Sequence, residues 1–318
     1  MIEVDGLTKY YGDIRAISDL SFSIEKGQIA GFLGLNGAGK STALKVLAGF
    51  LLPTAGSVRV DGIDVVAEPE KVRQRIGFLP EEPPLYKEMT VSAFLTYLGK
   101  LRGMGSSEAA ARLPSVLDRT GLAQHGDRVI DTLSLGYRKR VGIAQAIIHD
   151  PSLVILDEPV SGLDPLQRVE MRKLVRGLGG DHTVLISSHN LLEVEETCDL
   201  LLMLGEGQLV AKGSEDEIHA RIGTGASFEI DVRGDANAAA ARLRALDLVS
   251  EASVTRAGGE GDVHEVTVTL SGDDKAAAIE AAVADLVGAG LGVSRVEASS
   301  NELEDLFLKL AGTQEREV

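Results

Sequence analysis

The chain has 318 residues, of which 44% are hydrophobic and 25% charged, a composition typical of globular proteins and enough chain for two domains. Its net charge of −16 argues against a general nucleic-acid binder, which needs a basic face. No apolar run reaches the roughly 18 residues that span a bilayer, so a membrane role would need another chain.

The charge is unevenly distributed. From residue 225 onward there are 18 acidic and 8 basic residues, so most of the net negative charge lies in the last third of the chain. This asymmetry indicates two units of different character. The single cysteine, Cys198, excludes an internal disulfide, and we expect it to be a small buried hydrophobe beside an apolar strand. The acidic start of the chain has no apolar core, so we expect no signal peptide.

The first part of the chain alternates strands with one helix. Residues 1–33 have the alternation of strands, and IAGFLG (29–34) is typical of a short buried strand. A helix is predicted from about 41 to 49, and GSVRVDG (56–62) predicts a hairpin with its turn at Asp-Gly. IGFLPEEPPLY (76–86) is typical of a strand that enters a proline-rich loop.

The middle of the chain changes from helical to alternating structure. Residues 88–150 have helical spacing and are predicted to form a helical insert. SLVILDEP (152–159) is fully apolar at its start, as in a parallel strand buried on both faces. A helix (165–178), a strand (183–189), a helix (190–197) and two more strands are predicted to follow. This alternation favours an α/β sheet.

A second domain is predicted after a linker near 220–226. The later segments predict the order strand, helix, strand, strand, helix, strand, which is the βαββαβ order of a small ferredoxin-like α+β domain. A last helix is predicted over ELEDLFLKLAG (302–312). We therefore divide the chain into domains 1–222 and 223–318.

GLNGAGKST (34–42) matches the phosphate loop G-x-x-x-x-G-K-[ST] through Gly34, Gly39, Lys40 and Ser41. The glycines let backbone N–H groups surround a phosphate chain, and Lys40 adds a positive charge for the β- and γ-phosphates. The Ser41 hydroxyl suits Mg²⁺, and the N-terminus of the helix adds its dipole. Because the motif follows a predicted strand and opens a predicted helix, it predicts nucleotide binding.

LVILDEP places two acids at the end of a buried strand. Asp157 is a candidate ligand of Mg²⁺, and Glu158 is a candidate base that polarises a water for attack on the γ-phosphate. The alternative is a turn with solvated acids that ends the strand. The phosphate loop in the same chain favours the catalytic interpretation.

DTLSLGYRKR (131–140) raises a separate question about an anion. Ser134 is positioned to cap a helix whose first turns carry Arg138, Lys139 and Arg140. Cations at a helix start oppose the helix dipole. The sequence therefore predicts that something anionic docks at this end.

GLNGAGKST, LSLGYRKR, LVILDEPVSGLDP and SSH occur in the order and spacing of the ATP-binding subunit of an ABC transporter, and the chain resembles this family over about 1–222. The resemblance implies a P-loop NTPase cassette with a mixed sheet core and a helical insert, with ATP and Mg²⁺ as cofactors. It implies an ATPase in which two cassettes pack head to tail around two Mg-ATP.

The resemblance also implies roles for individual residues. Glu158 and His189 would be catalytic, with His189 contacting the γ-phosphate and orienting the attacking water. Tyr11 would stack on adenine, although a packed strand aromatic is the simpler alternative. Ser134 and Gly136 would hold the γ-phosphate bound to the other cassette. The remaining implied nucleotide contacts are Asn36, Gly37, Gly39, Lys40, Ser41, Thr42, Glu81 and Asp164. Of these, Asp164 would lie in a loop that crosses the dimer interface. The implied metal ligands are Ser41, Asp157 and Glu81.

Two departures from the family pattern stand out. The usual LSGGQ reads LSLGY here, with Leu135 and Tyr137 in place of Gly and Gln. Glu81 stands where the family usually has Gln, and it remains an oxygen ligand while adding a negative charge near ATP.

The cassette and its small second domain resemble the branch that serves separately encoded export permeases. The implied partners are a multi-pass membrane permease and a second cassette, expected to be a second copy in a homodimer, with no nucleic acid. The permease would dock on the apolar surface of 83–98 and hold this chain at the cytoplasmic inner face of the cell membrane. The alternatives are an importer subunit, a soluble ABC ATPase acting on ribosomes or DNA, and a non-hydrolysing nucleotide sensor.

Overall fold

The computed structural model describes residues 1–214, 217–218, 227–256, 258, 263–270 and 275–298. These residues fall into two compact units, one within 1–215 and one within 216–309. The predicted linker, with its boundary at 222, and the predicted last helix (302–312) lie outside the described residues. The division of the chain at 222 stays a prediction.

The strands and helices of the first unit alternate along the chain. Its described strands are β1 (Ile2–Tyr11), β2 (Ile14–Ile24), β3 (Ile29–Leu33), β4 (Ala55–Val60), β5 (Ile63–Asp64), β6 (Ile76–Leu79), β7 (Leu153–Asp157), β8 (Thr183–Ser188), β9 (Leu200–Gly205) and β10 (Gln208–Gly213). Its described helices are α1 (Lys40–Leu47), α2 (Pro69–Arg75), α3 (Val91–Leu101), α4 (Ser106–Arg119), α5 (Leu135–Ile147), α6 (Pro165–Arg176) and α7 (Leu191–Glu195).

The central sheet has six strands in the order β10-β9-β3-β8-β7-β6. All neighbours pair in parallel except the edge strand β10, which is antiparallel to β9. Every residue of β3, β7 and β8 is buried, because a parallel strand inside an α/β sheet is covered on both faces. The predicted buried strand near 152–159 and the α/β class are confirmed.

A second, antiparallel sheet packs on the first around α1. Its order is β2-β1-β4-β5, and the predicted hairpin turn lies at Asp61 and Gly62, both with positive φ. Phe22 of β2 and Phe32 of β3 meet edge to face at 5.3 Å between ring centroids. One core therefore joins the two sheets and fixes the loop after β3 beside the first hairpin.

The predicted helical insert is confirmed by α3, α4, a short 3-10 helix (Ile130–Thr132) and α5. Helix α2 was not predicted, although Pro69 at its first position and Arg73 and Arg75 in its last turn are recognisable signals. Cys198 is buried as predicted, and burial raises the pKa of its thiol.

Helix α5 lies unusually close to strand β6. A Cβ on Gly77 would be 2.0 Å from the carbonyl oxygen of Ala146, so only glycine allows this approach. The C-terminal part of α5 is thereby held directly against β6.

The second unit contains β11 (Ser227–Arg233), α8 (Ala236–Leu243), β12 (Val249–Arg256), β13 (Val263–Leu270), α9 (Lys275–Gly288) and β14 (Gly292–Ala298). They form an antiparallel sheet in the order β12-β13-β11-β14, with a separate hydrophobic core. The six elements occur in the order predicted from the sequence, while the ferredoxin-like assignment stays a prediction. In the described part of the chain, no helix is long and apolar enough to cross a membrane.

Candidate active site

Four loops meet at one edge of the central sheet. They follow the carboxyl ends of β3, β6, β7 and β8, where open α/β sheets place their ligands. A cavity of about 370 Å³ opens between them. Its lining residues are Ala16, Leu35, Asn36, Gly37, Gly39, Lys40, Ser41, Thr42, Glu81, Glu158, Ser161 and His189.

The loop from Gly34 to Gly39 wraps into the start of α1. Gly37 and Gly39 have φ values of 89° and 93°, which favour glycine. A Cβ on Gly39 would lie 2.6 Å from the carbonyl oxygen of Ala16, so the first hairpin presses on the loop. The result is a helix N-terminus behind a glycine-rich loop, which is a binding geometry for phosphate.

Lys40 is a buried cation at the centre of this loop. Its Nζ donates to the carbonyl oxygens of Gly34 at 2.6 Å and Leu35 at 3.2 Å, and it lies 3.8 Å from the Glu158 carboxylate. Burial lowers the pKa of Lys40, and the charges of Glu158 and Asp157 oppose that shift.

Asp157 joins the phosphate loop to β8 through two hydroxyls. Ser41 Oγ donates to Asp157 Oδ1 at 3.3 Å, and Ser187 Oγ donates to the same oxygen at 2.6 Å. Ser187 was not singled out from the sequence, although it is the first residue of the SSH motif. A hydroxyl and a carboxylate are a donor set suited to Mg²⁺, which keeps several waters. No group of three His, Cys, Asp or Glu residues in the described ranges forms a metal cluster.

Glu158 is a buried carboxylate on a strained backbone. Its φ is 48°, a left-handed conformation that is costly for a residue with a Cβ. Both of its carboxylate oxygens lie near His189 Nδ1, at 3.0 and 3.1 Å. Burial raises the pKa of Glu158, while the hydrogen bond with His189 and the charges of His189 and Lys40 oppose the rise. The group thus has the contacts of a base held beside a histidine.

The three cations at the start of α5 bind within the chain. Arg138 donates to the carbonyl of Leu133, and Arg140 donates to the carbonyl of Thr120 and to Glu170. These cations therefore already have partners within the chain, and the docking of an anion at this helix start stays a prediction.

Lys139 was missed as a residue of the site. Its side chain turns into the protein and donates to the carbonyl oxygens of Glu81 and Glu158, each at 2.9 Å. The available signal was a lysine three residues after the predicted glycine of the LSLGY segment, at a position that the helical pattern places on the buried side of α5.

Two further candidate segments lie outside the cavity. Ser134 caps α5, as predicted, by accepting from Tyr137 N at 3.5 Å, and Asp164 caps α6 by accepting from Gln167 N at 2.9 Å. The two helix starts are neighbours, since a Cβ on Gly136 would lie 2.6 Å from Gln167 Oε1. Ser134, Gly136 and Asp164 are not among the cavity's lining residues.

Tyr11 lies at the tip of the first hairpin. It is 46% exposed, and Lys9 Nζ lies 5.5 Å from its ring centroid. It does not line the cavity, although Ala16 of the same hairpin does. The packed-aromatic alternative therefore does not describe Tyr11, and stacking on adenine stays a prediction.

Comparison with known proteins identifies the family. The model of the ABC transporter family matches residues 17–161. The chain is 34% identical over 316 residues to the daunorubicin resistance ATP-binding protein DrrA3 of Streptomyces coeruleorubidus, covering 99% of this chain and 97% of that protein. It is 30% identical over 313 residues to the linearmycin resistance ATP-binding protein LnrL of Bacillus subtilis, covering 98% of each. The chain belongs to the ATP-binding subunits of ABC transporters.

A solved structure agrees with this assignment for the cassette. A structure described as the ATP-binding subunit of an ABC transporter is 31% identical, with a TM-score of 0.63, and covers 70% of this chain and 93% of its own. The predicted P-loop cassette and the predicted ATPase activity are thus confirmed. This ATP-binding subunit binds nucleotide, and its phosphate loop and Glu158 line the same cavity.

Proposed function

We propose that this ATP-binding subunit powers an exporter by driving a separate membrane permease. The observation that carries the proposal is the full-length similarity to two antibiotic resistance subunits, which extends over the second unit as well as the cassette. A shared cassette alone would serve importers and non-transport ATPases equally well. Those two alternatives are less favoured for this reason.

The cavity supports ATP hydrolysis by general base catalysis. Glu158 would accept a proton from the attacking water, and His189, in contact with both of its oxygens, would orient the water and contact the γ-phosphate. Lys40 would bind the β- and γ-phosphates. Ser41 and Asp157, with Glu81 at the rim, would hold Mg²⁺, which neutralises phosphate charge when bound.

A second copy of the chain would complete the site. Ser134, Gly136 and Asp164 lie together at two helix starts, away from the chain's own cavity. Their backbone and hydroxyl donors suit a phosphate. We infer that they close over the ATP of the second copy, so that binding of two ATP brings the cassettes together.

An apolar groove beside the helical insert would receive the permease. It has a volume of about 480 Å³, and its walls include Phe50, Phe78 and Tyr86, with Lys45 and Arg102 at its cationic edge. It extends the apolar surface predicted over 83–98 onto α1 and β6. The occupant we infer is a short amphipathic segment of the permease, with apolar side chains against the aromatic wall and a carboxylate near the lysine and arginine. Docking there would hold the subunit at the inner face of the cell membrane.

The cargo would be selected by the permease. The two relatives reported above are named for resistance to different compounds, daunorubicin and linearmycin, and both are similar to nearly the whole of this chain. Similarity of the ATP-binding subunit therefore does not specify one cargo.

The groove proposal is tested by substituting an exposed aromatic in it. Phe50 is 60% exposed and its ring centroid lies 5.4 Å from that of Phe78, so Phe50→Asp changes the docking surface and leaves the buried core residues in place. Val287→Asp changes a residue that is 56% exposed on α9 and serves as the matched control. Each variant is purified from its own cells in mild detergent, and the proteins that accompany it are identified.

We expect a multi-pass membrane protein in near-equal amount with the wild type and with Val287→Asp, and its loss with Phe50→Asp. Retention of that protein by Phe50→Asp would reject the groove. A ribosomal or DNA-repair complex in place of a membrane protein would reject the transporter proposal itself.

A further inference from the structure

Lys139 is a buried cation with no part in the proposed chemistry. Its side chain is 3% exposed, and its ammonium donates to two backbone carbonyls, those of Glu81 and Glu158. Burying an ammonium is costly unless hydrogen bonds compensate for the lost water. The buried ammonium of Lys139 therefore joins two loops of the site through hydrogen bonds to their backbone carbonyls.

The two loops leave adjacent strands at the point where pairing ends. Strands β6 and β7 pair in register as far as Leu79 and Leu156. Glu81 and Glu158 lie two residues beyond this pair. Lys139 bridges their carbonyls from α5, which links the two strand ends past their last paired residues.

The bond to Glu158 bears on the orientation of the catalytic carboxylate. The Glu158 N–H is held by Ser187 Oγ at 2.9 Å, and its carbonyl accepts from Lys139 and from Ser161 N at 3.2 Å. A residue with a positive φ keeps its conformation only where its surroundings determine it. Lys139 supplies one of these constraints.

Helix α5 is closely packed against both loops. A Cβ on Gly142 would lie 2.5 Å from Leu79 Cδ1 and 3.2 Å from Pro83, so the helix rests directly on the loop after β6. The same helix begins at Ser134, where the second copy would engage. A shift at the start of α5 would therefore reach Lys139 within about two helical turns.

We propose that Lys139 is a positioning residue for ATP hydrolysis. It holds the backbone of Glu158 and the Glu81 loop against α5, keeps the Glu158 carboxylate aligned, and carries movement at Ser134 to both loops. Lys139 does not line the cavity, so its effect is on the chemical step and not on nucleotide binding. The inference rests on the proposed role of Glu158 as the base.

Three variants separate this role from a loss of charge or of folding. Lys139→Met keeps the length and removes the donors, and we expect kcat to fall by about tenfold or more while KM for ATP is unchanged. Lys139→Gln restores two N–H donors and is expected to recover kcat to within about threefold of wild type. Lys173→Met removes an exposed lysine on α6 and is expected to match wild type.

A double-mutant cycle shows whether Lys139 acts through Glu158. In a Glu158→Gln background, Lys139→Met should lower the residual rate by less than about twofold, because the base it positions is already absent. The number of sites that bind the fluorescent analogue TNP-ATP should stay at the wild-type value throughout. A wild-type kcat in Lys139→Met, a loss confined to KM, or additive losses in the cycle would overturn the inference.

Three further outcomes are also informative. If Lys139→Met does not fold, the same cycle is run with Lys139→Gln, for which we expect a loss of kcat of up to about threefold, an unchanged KM and no further loss in the Glu158→Gln background. Equal losses in the two backgrounds would overturn the inference. If Glu158→Gln hydrolyses ATP at the wild-type rate, the proposed base and this inference both fail. A wild-type rate in Lys139→Met beside an inactive Glu158→Gln overturns the Lys139 role only.

Discussion

At the scale of single residues, the chemistry is concentrated in side chains that are buried and mutually bonded. Lys40, Asp157 and Glu158 are each less than a tenth exposed and lie within one connected set of hydrogen bonds and ion pairs. Burying charged side chains costs free energy, and the binding of a polyphosphate in the cavity is a physical reason for their presence there. Glu81 differs because its side chain lies at the exposed rim.

Replacing Glu81 by Gln should change the rate of ATP hydrolysis by less than about tenfold, because the amide oxygen still serves as a hard ligand. The bond that its backbone carbonyl accepts from Lys139 is unaffected by the substitution. The rate is measured at saturating ATP, with the neighbouring substitution Glu82→Gln as control. Complete loss of hydrolysis would show that the Glu81 carboxylate has a role that an amide cannot fill.

At the scale of secondary structure, the site depends on how α5 and β6 meet. The glycines at 77 and 142 let the helix rest on the strand and its following loop. His149, just beyond α5, closes this contact through a bond between Nε2 and the carbonyl oxygen of Ile76 at 3.2 Å. Burial, together with Arg102, lowers the pKa of His149 to about 4, with Asp150 opposing and His182 contributing to the shift.

This shift predicts a pH dependence of the stability of the cassette. In the unfolded chain, His149 would bind a proton below the usual histidine pKa of about 6.5. In the folded chain, it would bind the proton only near pH 4. Because the unfolded state binds more protons between these values, the stabilisation is complete above pH 6.5 and is lost as pH falls toward 4. The loss should be on the order of 2 kcal/mol, allowing for partial exposure.

The measurement is the free energy of unfolding in urea between pH 4 and pH 7. His149→Gln keeps a donor for Ile76 and removes the titration, so its stability should fall less steeply with decreasing pH than that of the wild type. Parallel curves for the two proteins would show that His149 does not titrate differently in the folded state.

At the scale of the whole molecule, the residues proposed to contact ATP lie at two separate places. The phosphate loop and Glu158 line one cavity, while Ser134, Gly136 and Asp164 lie at helix starts outside it. In the proposed homodimer, each of two sites would use residues from both places. The described part of the second unit has its own hydrophobic core.

Glu158→Gln should trap a dimer when ATP is present, because the variant is expected to bind ATP while lacking the proposed base that activates water for its hydrolysis. The mass is measured by light scattering with and without ATP, and Glu3→Gln on the exposed face of β1 is the matched control. A Glu158→Gln variant that stays monomeric at saturating ATP would count heavily against the dimer.

Much of the first unit could be predicted from the sequence because its signals are local. A phosphate loop needs glycines, a lysine and a hydroxyl at fixed spacing, and a buried parallel strand such as β7 needs an unbroken apolar run. The cap at Ser134 likewise follows from residues three positions apart. Helix α2 was missed because it is short and lacks a strong apolar period.

Only the tertiary structure decided which groups, distant in the sequence, form hydrogen bonds and ion pairs with one another. The cations of α5 looked free to bind an anion, but their partners are a carboxylate and carbonyls far along the chain, such as those of Glu81 and Glu158 for Lys139. A backbone carbonyl has no sequence signature, so no residue pattern could indicate these bonds. The sequence by itself determined the family, the fold class and the candidate catalytic groups, whereas the three-dimensional packing decided that Lys139 joins them, because that contact depends on where α5 crosses the ends of β6 and β7.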